Sequence, residues 1–249
     1  MNAIILSAGK GTRLRPETIS IPKGMVKLFD KSLLEMQIDI FKKCGINDIS
    51  IVTGYLADKI TFPSINYFKN ENFSSTAGNE SIFCAKEKLQ DCTIITYGDL
   101  VFEKAVIDQV IDFKGDIGIT VDLDWEKNYV NRDQHPKSEA ENILINGNEI
   151  LEIRKNISAC KENEKIGECP GLVKFSRKAS KVFLDKYSEL EISHQGKFHN
   201  APSLEKALIS DMIQELIDSE INVEPIYVSG KWCEIDTPQD LQIARKLFS

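Results

Sequence analysis

A glycine-rich loop that also carries cations contains the residues of this sequence best suited to chemistry. It reads Leu6-Ser-Ala-Gly-Lys-Gly-Thr-Arg-Leu-Arg-Pro16, and Ile21-Pro-Lys23 follows shortly after it. Glycine can adopt a positive φ and has no side chain, so the backbone N–H groups of such a loop can crowd around phosphate oxygens. Arg13 and Lys23 add positive charge that can meet a triphosphate and stabilise the charge that grows on it. The loop therefore predicts a phosphate-binding site.

This loop differs from two common phosphate-binding motifs. A P-loop ends in Gly-Lys-Ser or Gly-Lys-Thr, and the dinucleotide motif Gly-x-Gly-x-x-Gly needs a third glycine. Here Gly9 and Gly11 are followed by Thr12, and no third glycine comes at the required spacing. A tight strand-to-helix turn with exposed charges is the alternative for the glycines alone. The added arginine and the Pro-Lys pair favour phosphate binding.

Acidic residues at two predicted strand ends suggest a metal site. Asp99 follows the apolar strand Thr93–Tyr97, and Glu234 and Asp236 alternate along one face of a short late strand. The carboxyl ends of parallel strands are where such sheets bind ligands. One carboxylate there can hold Mg²⁺ against phosphate oxygens. Asp240 is expected instead to cap the last helix.

The elements that must position these residues alternate between strand and helix. The apolar run from Asn2 to Ala8 is typical of a strand buried on both faces of a parallel sheet. Further strands are predicted at 46–53, 93–97 and 117–122. Helices are predicted between them at 33–44, 81–89 and 105–113. This order predicts an α/β fold with a doubly wound, Rossmann-like, mixed but mainly parallel sheet.

The pattern changes after Asp124. A β-hairpin is predicted around Gly147, followed by a strand at 171–175, helices at 177–187 and 204–219, a strand at 223–228 and a last helix capped by Thr237. We therefore expect one domain over residues 1–249, with a small β-rich insertion at 124–175.

Composition excludes several classes of protein. The 249 residues carry a net charge of -7, which argues against nucleic acid as a partner. Without an apolar run near the ~20 residues of a membrane span, or an export signal, we expect a soluble, cytoplasmic protein with reduced thiols. Six cysteines without a C-x-x-C pair and three histidines make a zinc site improbable.

The loop and its neighbours resemble the nucleotidyltransferases that join a nucleoside triphosphate to a phosphorylated small molecule and release pyrophosphate. The resemblance spans nearly the whole chain and implies a GT-A-like fold. It implies that the loop holds the triphosphate, that Arg13 and Lys23 contact its phosphates as catalytic cations, and that Asp99 and Asp236 hold Mg²⁺. The implied nucleotide-binding residues of this loop are Leu6, Ala8, Gly9, Gly11 and Thr12.

In this family the base is read by the first loop and by the segment that here spans 70–81. Gly78, Asn79 and Ser81 are the nucleotide-binding candidates in that segment. The alternative is a plain loop with Ser81 near a helix start. Because the segment is rich in Asn, Gly and Ser, it resembles the cytidylyltransferases that act on phosphocholine and on phosphonates, which implies CTP.

The middle of the chain resembles the cytidylyltransferase domains found fused to phosphoenolpyruvate mutase. It departs from them at Ile153-Arg-Lys155, where Ile-Gly-Lys is expected, and this departure leaves the acceptor open. The residues expected to bind an anionic phosphonate or phosphate acceptor are Arg132, Lys155 and Lys174, with Trp125 covering it. For a choline-type acceptor, the alternative is an aromatic cage built from Trp125, Tyr129 and Trp232.

The leading hypothesis is an Mg²⁺-dependent cytidylyltransferase that transfers CMP from CTP to a small phosphonate or phosphorylated compound by direct in-line displacement. A sugar-1-phosphate nucleotidylyltransferase that uses UTP, dTTP or GTP is the first alternative. A non-catalytic nucleotide-sensing subunit is the second. A homodimer is possible.

Overall fold

The computed structural model describes residues 1–158 and 161–249. The strands, in chain order, are β1 (Asn2–Ser7), β2 (Lys27–Leu28), β3 (Lys31–Ser32), β4 (Ile49–Thr53), β5 (Asn66–Lys69), β6 (Thr93–Tyr97), β7 (Leu100–Phe102), β8 (Ile117–Val121), β9 (Glu141–Asn146), β10 (Glu149–Lys155), β11 (Glu164–Glu168), β12 (Leu172–Phe175), β13 (Glu224–Tyr227) and β14 (Trp232–Glu234). The helices are α1 (Leu33–Lys43), α2 (Gly78–Cys84), α3 (Lys104–Asp112), α4 (Arg177–Ser193), α5 (Ile209–Asp218) and α6 (Pro238–Leu247).

A seven-stranded sheet lies at the centre, in the order β13-β8-β12-β6-β1-β4-β5. Neighbouring strands are parallel except at β12, which runs antiparallel to both β6 and β8. All six residues of β1 are buried. Ile4 and Leu6 face one apolar cluster, whereas Ala3 and Ile5 face another. The predicted mixed, mainly parallel sheet with a central strand buried on both faces is confirmed.

Helices cover both faces of this sheet. Residues of α1 and α3 belong to one apolar cluster, and residues of α2, α4 and α5 belong to the other. Helix α1 begins where the Ser32 side chain accepts a hydrogen bond from the Glu35 N–H, and Gly45 follows its end at φ +83°. Helices therefore cover both faces of the sheet, and the strand ends are where ligands bind in such folds.

A second sheet, in the order β10-β9-β11, lies within the segment 124–175 where the sequence predicted a β-rich insertion. The hairpin between β9 and β10 turns at Gly147 with φ +62°, as predicted. The insertion is shorter than expected, because its sheet spans 141–168 and β12 belongs instead to the central sheet. Ile150 and Ile153 of β10 share an apolar cluster with Met212 and Leu216 of α5.

Several other boundaries differ from the sequence-based expectation. Helix α5 begins at Ile209 and not at Leu204, because the Asp211 carboxylate accepts the Leu208 N–H and starts the helix there. Helix α2 begins at Gly78 and ends at Cys84, whereas the sequence predicted a helix at 81–89. The sequence did not predict strand β5. Within the described residues, no helix has both the length and the apolar character to cross a membrane. The five described cysteines are free thiols, and Cys160 lies outside the described residues.

Candidate active site

A cavity of about 320 Å³ opens at the carboxyl ends of β1 and β6. Its lining comes from segments that lie far apart in the sequence. These are the loop after β1, the start of α2 and the two predicted metal ligands. The sequence-predicted residues that line it are Leu6, Ala8, Gly9, Gly11, Thr12, Arg13, Lys23, Gly78, Ser81, Asp99 and Asp236. We refer to it below as the nucleotide cavity.

The loop after β1 requires glycine at Gly11 for two reasons. Its φ is +59°, a conformation that L side chains rarely adopt. A Cβ atom there would also lie 2.8 Å from the Cβ of Lys23. The Thr18 hydroxyl donates a 2.8 Å hydrogen bond to the Gly11 carbonyl and fixes the turn. Gly11 thus lets the chain pass closely over the lysine that the site uses.

Strand pairing brings the two predicted metal ligands together. Strand β14 runs antiparallel to β7, and the Ile235 N–H donates a 3.0 Å hydrogen bond to the Asp99 carbonyl. This pairing holds Asp236 beside Asp99 although 137 positions of sequence separate them. The predicted convergence of two strand-end carboxylates is therefore present in the fold.

Lys23 lies between these two carboxylates. Its Nζ donates a 2.6 Å hydrogen bond to Asp99 and a second one to Asp236. Burial disfavours the ammonium, but the two carboxylates outweigh that cost and raise the pKa of Lys23. Arg13 pairs with the other oxygen of Asp236 at 2.7 Å. Burial also opposes the charge of Asp236, yet Lys23 lowers the pKa of that carboxyl.

The donor set fits a hard divalent cation. Within the described residues, Oδ1 of Asp99 is buried without a hydrogen-bond partner, so one carboxylate oxygen there can accept a further ligand. Carboxylate oxygens are the protein ligands that suit Mg²⁺. His135, Glu234 and Asp236 form a second set, whose ligand atoms lie within 4.8 Å of one another. Asp99 and Asp236 are the residues of this chain that could hold Mg²⁺ between the loop and an incoming substrate.

The segment at 70–81 is ordered by its own polar side chains. Asn70 donates hydrogen bonds of 3.0 Å to the Thr76 hydroxyl and 3.1 Å to the Ser81 hydroxyl. Gly78 lies close to the Tyr97 hydroxyl, which a Cβ atom would approach to 3.1 Å. Asn79 does not line the cavity, because its Nδ2 donates a 2.8 Å hydrogen bond to the Leu208 carbonyl. Its predicted contact with the base is therefore wrong, and Asn79 instead ties α2 to the start of α5.

A second cavity of about 250 Å³ adjoins the first and shares Arg13, Asp99 and Asp236 with it. We refer to it as the acceptor cavity. Lys155 lines it, as the acceptor assignment requires, and its Nζ pairs with Glu139 at 2.7 Å. Glu234, which the sequence placed beside Asp236, also lines it, but sequence reasoning missed His135, Glu139, Glu141 and Glu168. The alternation of Glu139 and Glu141 was the available signal for two of them.

Arg132 is buried and lines neither cavity. Its Nε donates a 2.7 Å hydrogen bond to Asp240, and its Nη2 lies 3.1 Å from the Glu234 carbonyl. Asp240 also accepts the Asp236 N–H at 3.0 Å and, as predicted, caps α6. The predicted contact between Arg132 and the acceptor is therefore wrong, since its guanidinium holds the segment that carries Asp236.

His135 belongs to the same buried network. Its Nδ1 lies 3.6 Å from Asp236 and 3.6 Å from Asp240. Burial disfavours the Asp240 carboxylate, but the hydrogen bond from Arg132 and its positive charge help to outweigh it and lower the pKa of Asp240. The backbone on either side of Asp236 is thereby fixed from within the protein.

Two other acceptor assignments are also wrong. Lys174 donates hydrogen bonds to the carbonyls of Ile111 and Phe113, beyond the amino end of β6. Trp125 is buried, and its indole donates to the Ile166 carbonyl at 3.3 Å. Neither side chain lines the nucleotide cavity or the acceptor cavity.

The three aromatic residues considered for a choline cage do not form one at this site. Tyr129 stacks its ring against Arg132 and donates its hydroxyl to Glu168. Trp232 donates its indole N–H to Asp122 at 2.9 Å. Together with Trp125, they lie outside both cavities.

Comparison with known proteins places this geometry in a family. Residues 3–124 match the MobA-like NTP transferase domain. The chain is 31% identical over 254 residues to the CTP:phosphoglutamine cytidylyltransferase of Campylobacter jejuni, covering 98% of each protein. It is 37% identical over 107 residues to the choline-phosphate cytidylyltransferase of Streptococcus pneumoniae, covering 41% of this chain and 47% of that protein.

The solved structure of the CTP:phosphocholine cytidylyltransferase from Streptococcus pneumoniae has the same fold. It matches with a TM-score of 0.73 and 22% identity, over 100% of this chain and 99% of that one. The predicted Rossmann-like, GT-A type of fold is thereby confirmed. Since a relative that is 31% identical matches over 98% of both chains, this protein belongs to the cytidylyltransferases, a branch of the nucleotidyltransferase enzymes.

Proposed function

We propose that this enzyme transfers CMP from CTP to a small molecule that bears a phosphate or phosphonate group, and that it releases pyrophosphate. The observation that carries the proposal is the position of Asp99 and Asp236, which line both the nucleotide cavity and the acceptor cavity and which both pair with Lys23. Two ligands placed in these cavities would meet at the charged groups that phosphate chemistry needs.

The reaction itself asks little covalent chemistry of the protein. An oxygen of the acceptor's phosphate or phosphonate attacks the α-phosphorus of CTP, and the bond from that phosphorus to the pyrophosphate oxygen breaks. Both reactants are anionic, so catalysis consists mainly of positioning them and of compensating negative charge. If Asp99 and Asp236 hold Mg²⁺, the ion would act as a Lewis acid toward the phosphate oxygens.

The two cations of the site have different surroundings that suit different tasks. Lys23 is largely buried and held from two sides, so its ammonium is preorganised for the charge that develops at the transferred phosphate. The side chain of Arg13 is 54% exposed, and its planar guanidinium can follow the β- and γ-phosphates as pyrophosphate departs. Removing either cation should reduce the rate more than it weakens the binding of CTP.

The preference for cytosine rests on the relatives and on the shape of the base side. The two relatives are named for CTP and for cytidylyl transfer. Small residues at Gly78 and Ser81 let backbone groups approach a pyrimidine edge. Cytosine carries a donor amine where uracil has a carbonyl. A site that pairs this amine with a backbone carbonyl should disfavour uracil by about 1–3 kcal/mol.

The test is pyrophosphate release with four nucleoside triphosphates, each combined with phosphate monoesters, phosphonates and a hexose 1-phosphate, with and without Mg²⁺. We expect about 10-fold or greater preference for CTP over UTP, activity that needs Mg²⁺, and little turnover of the hexose 1-phosphate. Lys23→Ala should lose about two orders of magnitude in kcat/KM, whereas Lys27→Ala, at an exposed position of β2, should not. Equal rates with CTP and UTP would contradict the base assignment, and efficient turnover of the hexose 1-phosphate would favour a sugar nucleotidylyltransferase.

A further inference from the structure

We propose that His135 binds the acceptor, and that its Nε2–H donates a hydrogen bond to an oxygen of the acceptor's phosphate or phosphonate group. The inference rests on the proposed function, because it adds a binding residue to the same site. It goes beyond the relatives, whose names describe substrates and no side chain.

His135 is a buried side chain in the wall of the acceptor cavity. It is only 3% exposed, yet it lines this cavity together with Glu234 and Asp236. It does not line the nucleotide cavity. The ring of Tyr129 packs against its ring edge to face, with the two centroids 6.1 Å apart. The imidazole is therefore held in place where an acceptor would lie and not where a nucleotide would.

Arg132 determines which ring nitrogen of His135 carries the proton. Its Nη2 lies 3.1 Å from Nδ1 of His135. A guanidinium has only N–H donors and stays protonated, so Nδ1 must accept this hydrogen bond. The carboxylates of Asp236 and Asp240 each lie 3.6 Å from Nδ1, which is beyond hydrogen-bond distance. Because Nδ1 presents its lone pair, the neutral imidazole carries its proton on Nε2.

The guanidinium of Arg132 is itself fixed in this orientation. Its Nε donates a 2.7 Å hydrogen bond to Asp240, and its Nη2 also donates to the Glu234 carbonyl at 3.1 Å. The side chain is 4% exposed, so it cannot turn away without leaving these partners in the protein interior. Arg132 is therefore a positioning residue, which acts on the acceptor through His135.

The Nε2–H of His135 is a donor without a partner. No acceptor bonds to it within the described residues, because Oε2 of Glu234, at 3.9 Å, is too far away. The lining cations Lys155 and Arg13 are already paired with carboxylates. An ionised phosphate or phosphonate oxygen is a strong acceptor for such an N–H group. A bound acceptor would thus supply the partner that the protein leaves out.

The same proton excludes His135 from a second metal site. His135, Glu234 and Asp236 place ligand atoms within 4.8 Å of one another. A histidine binds a metal ion through a nitrogen lone pair. Here the lone pair of Nδ1 is directed at Arg132, and Nε2 carries the proton. The arrangement therefore suits the binding of an anion better than that of a metal ion.

NMR of the full chain labelled with nitrogen-15 tests the tautomer. Long-range proton–nitrogen spectra distinguish a ring nitrogen that carries a proton from one with a lone pair. The sequence has three histidines, and His135→Gln identifies the signals of His135. We expect the proton on Nε2, and a shift of the Nε2 signal with a turned-over acceptor but not with CTP alone. A proton on Nδ1, or a response to CTP and none to the acceptor, would overturn the inference.

The acceptor for this spectrum and for the kinetics is the fastest among phosphoglutamine, choline phosphate, ethyl phosphate and ethylphosphonate. Failure of all four to release pyrophosphate from CTP overturns the proposed function, and this inference with it. Turnover of one of them with a KM that His135→Leu does not change overturns this inference alone and leaves the proposed function standing.

Two replacements of His135 separate binding from support of the fold. His135→Leu removes the donor, whereas His135→Gln keeps an N–H group at the end of a side chain of similar reach. We expect His135→Leu to raise the KM for the acceptor by about 10- to 100-fold without changing the KM for CTP, and His135→Gln to recover most of this loss. His194→Leu, which lines neither cavity, is the matched control. An equal loss in both variants, or a loss confined to kcat or to the KM for CTP, would contradict a contact with the acceptor. If His135→Leu does not fold, the NMR result decides alone.

Discussion

Replacing Arg132 with methionine tests whether this residue binds the acceptor, as the sequence indicates, or holds the site together. Its guanidinium donates to Asp240 at 2.7 Å, and both side chains are almost fully buried, at 4% and 0% exposure. Its Nη2 lies 3.1 Å from the Glu234 carbonyl oxygen and 3.1 Å from Nδ1 of His135. Methionine has a similar length but replaces none of these hydrogen bonds.

The expected cost is that of leaving a buried charge without its partner. Removing one member of a buried ion pair typically destabilises a protein by about 3–5 kcal/mol. Asp240 keeps its hydrogen bonds from the backbone of Asp236 and Thr237, which moderates the loss. We therefore expect Arg132→Met to lower the free energy of unfolding by about 3 kcal/mol. Because the same network fixes Asp236, kcat should fall as well.

Urea denaturation of the wild type, Arg132→Met and the control Arg154→Met measures the effect. Arg154 pairs with Glu152 at 2.6 Å, but both side chains are about 40% exposed, so its loss should cost about 1 kcal/mol or less. Adding Asp240→Asn to Arg132→Met should recover part of the stability, since the orphaned charge is removed. A variant Arg132→Met with native stability and only a raised KM for the acceptor would refute this reasoning and restore the sequence-based assignment.

Three further predictions concern single residues. Asp99→Asn and Asp236→Asn should each remain folded but lose several kcal/mol of transition-state stabilisation, because each removes a carboxylate that could hold Mg²⁺. Near-normal rates of either variant at saturating Mg²⁺ would contradict this. Glu168 binds its proton more tightly when folded, so its contribution to stability is present below pH 4.5 and lost as the pH rises to about 7. Relative to Glu168→Gln, the wild-type free energy of unfolding should therefore fall by about 2–3 kcal/mol between pH 5 and pH 8 in urea titrations, and a pH-independent difference would be evidence against the raised pKa. Lys174→Met should leave the KM of the acceptor unchanged in steady-state assays, and a large rise in that KM would contradict its placement beyond the amino end of β6.

The parts of the site that the sequence predicted are those encoded by local patterns. The buried run of β1 followed by glycines identifies both a strand and the loop at its end, and the positive φ of Gly11 is a property of that single turn. Asp99 could be placed at a strand end because the apolar run before it is unambiguous. Thr237 and Asp240 form the predicted helix cap within four residues of each other.

The errors fall where a residue's role depends on partners far along the chain. Strand β12 inserts antiparallel between β6 and β8, and this direction, invisible in the sequence, carries Lys174 away from the site. Arg132 lies in a loop without periodicity, and its partner Asp240 is 108 positions away. Nothing in the run around Glu168 shows that the second sheet turns this side chain toward the acceptor cavity.

The most direct test of the central claim follows the label of CTP into the product. CTP radiolabelled at the α-phosphorus or at the γ-phosphorus is incubated with Mg²⁺ and a small phosphate or phosphonate acceptor, and the products are separated. Direct nucleotidyl transfer between the two cavities predicts that the α-label enters the acceptor product in a 1:1 ratio with released pyrophosphate, and that the γ-label remains in pyrophosphate. A γ-label in the acceptor product would mean phosphoryl transfer, and pyrophosphate release without a CMP-linked product would mean hydrolysis; either result would contradict the account.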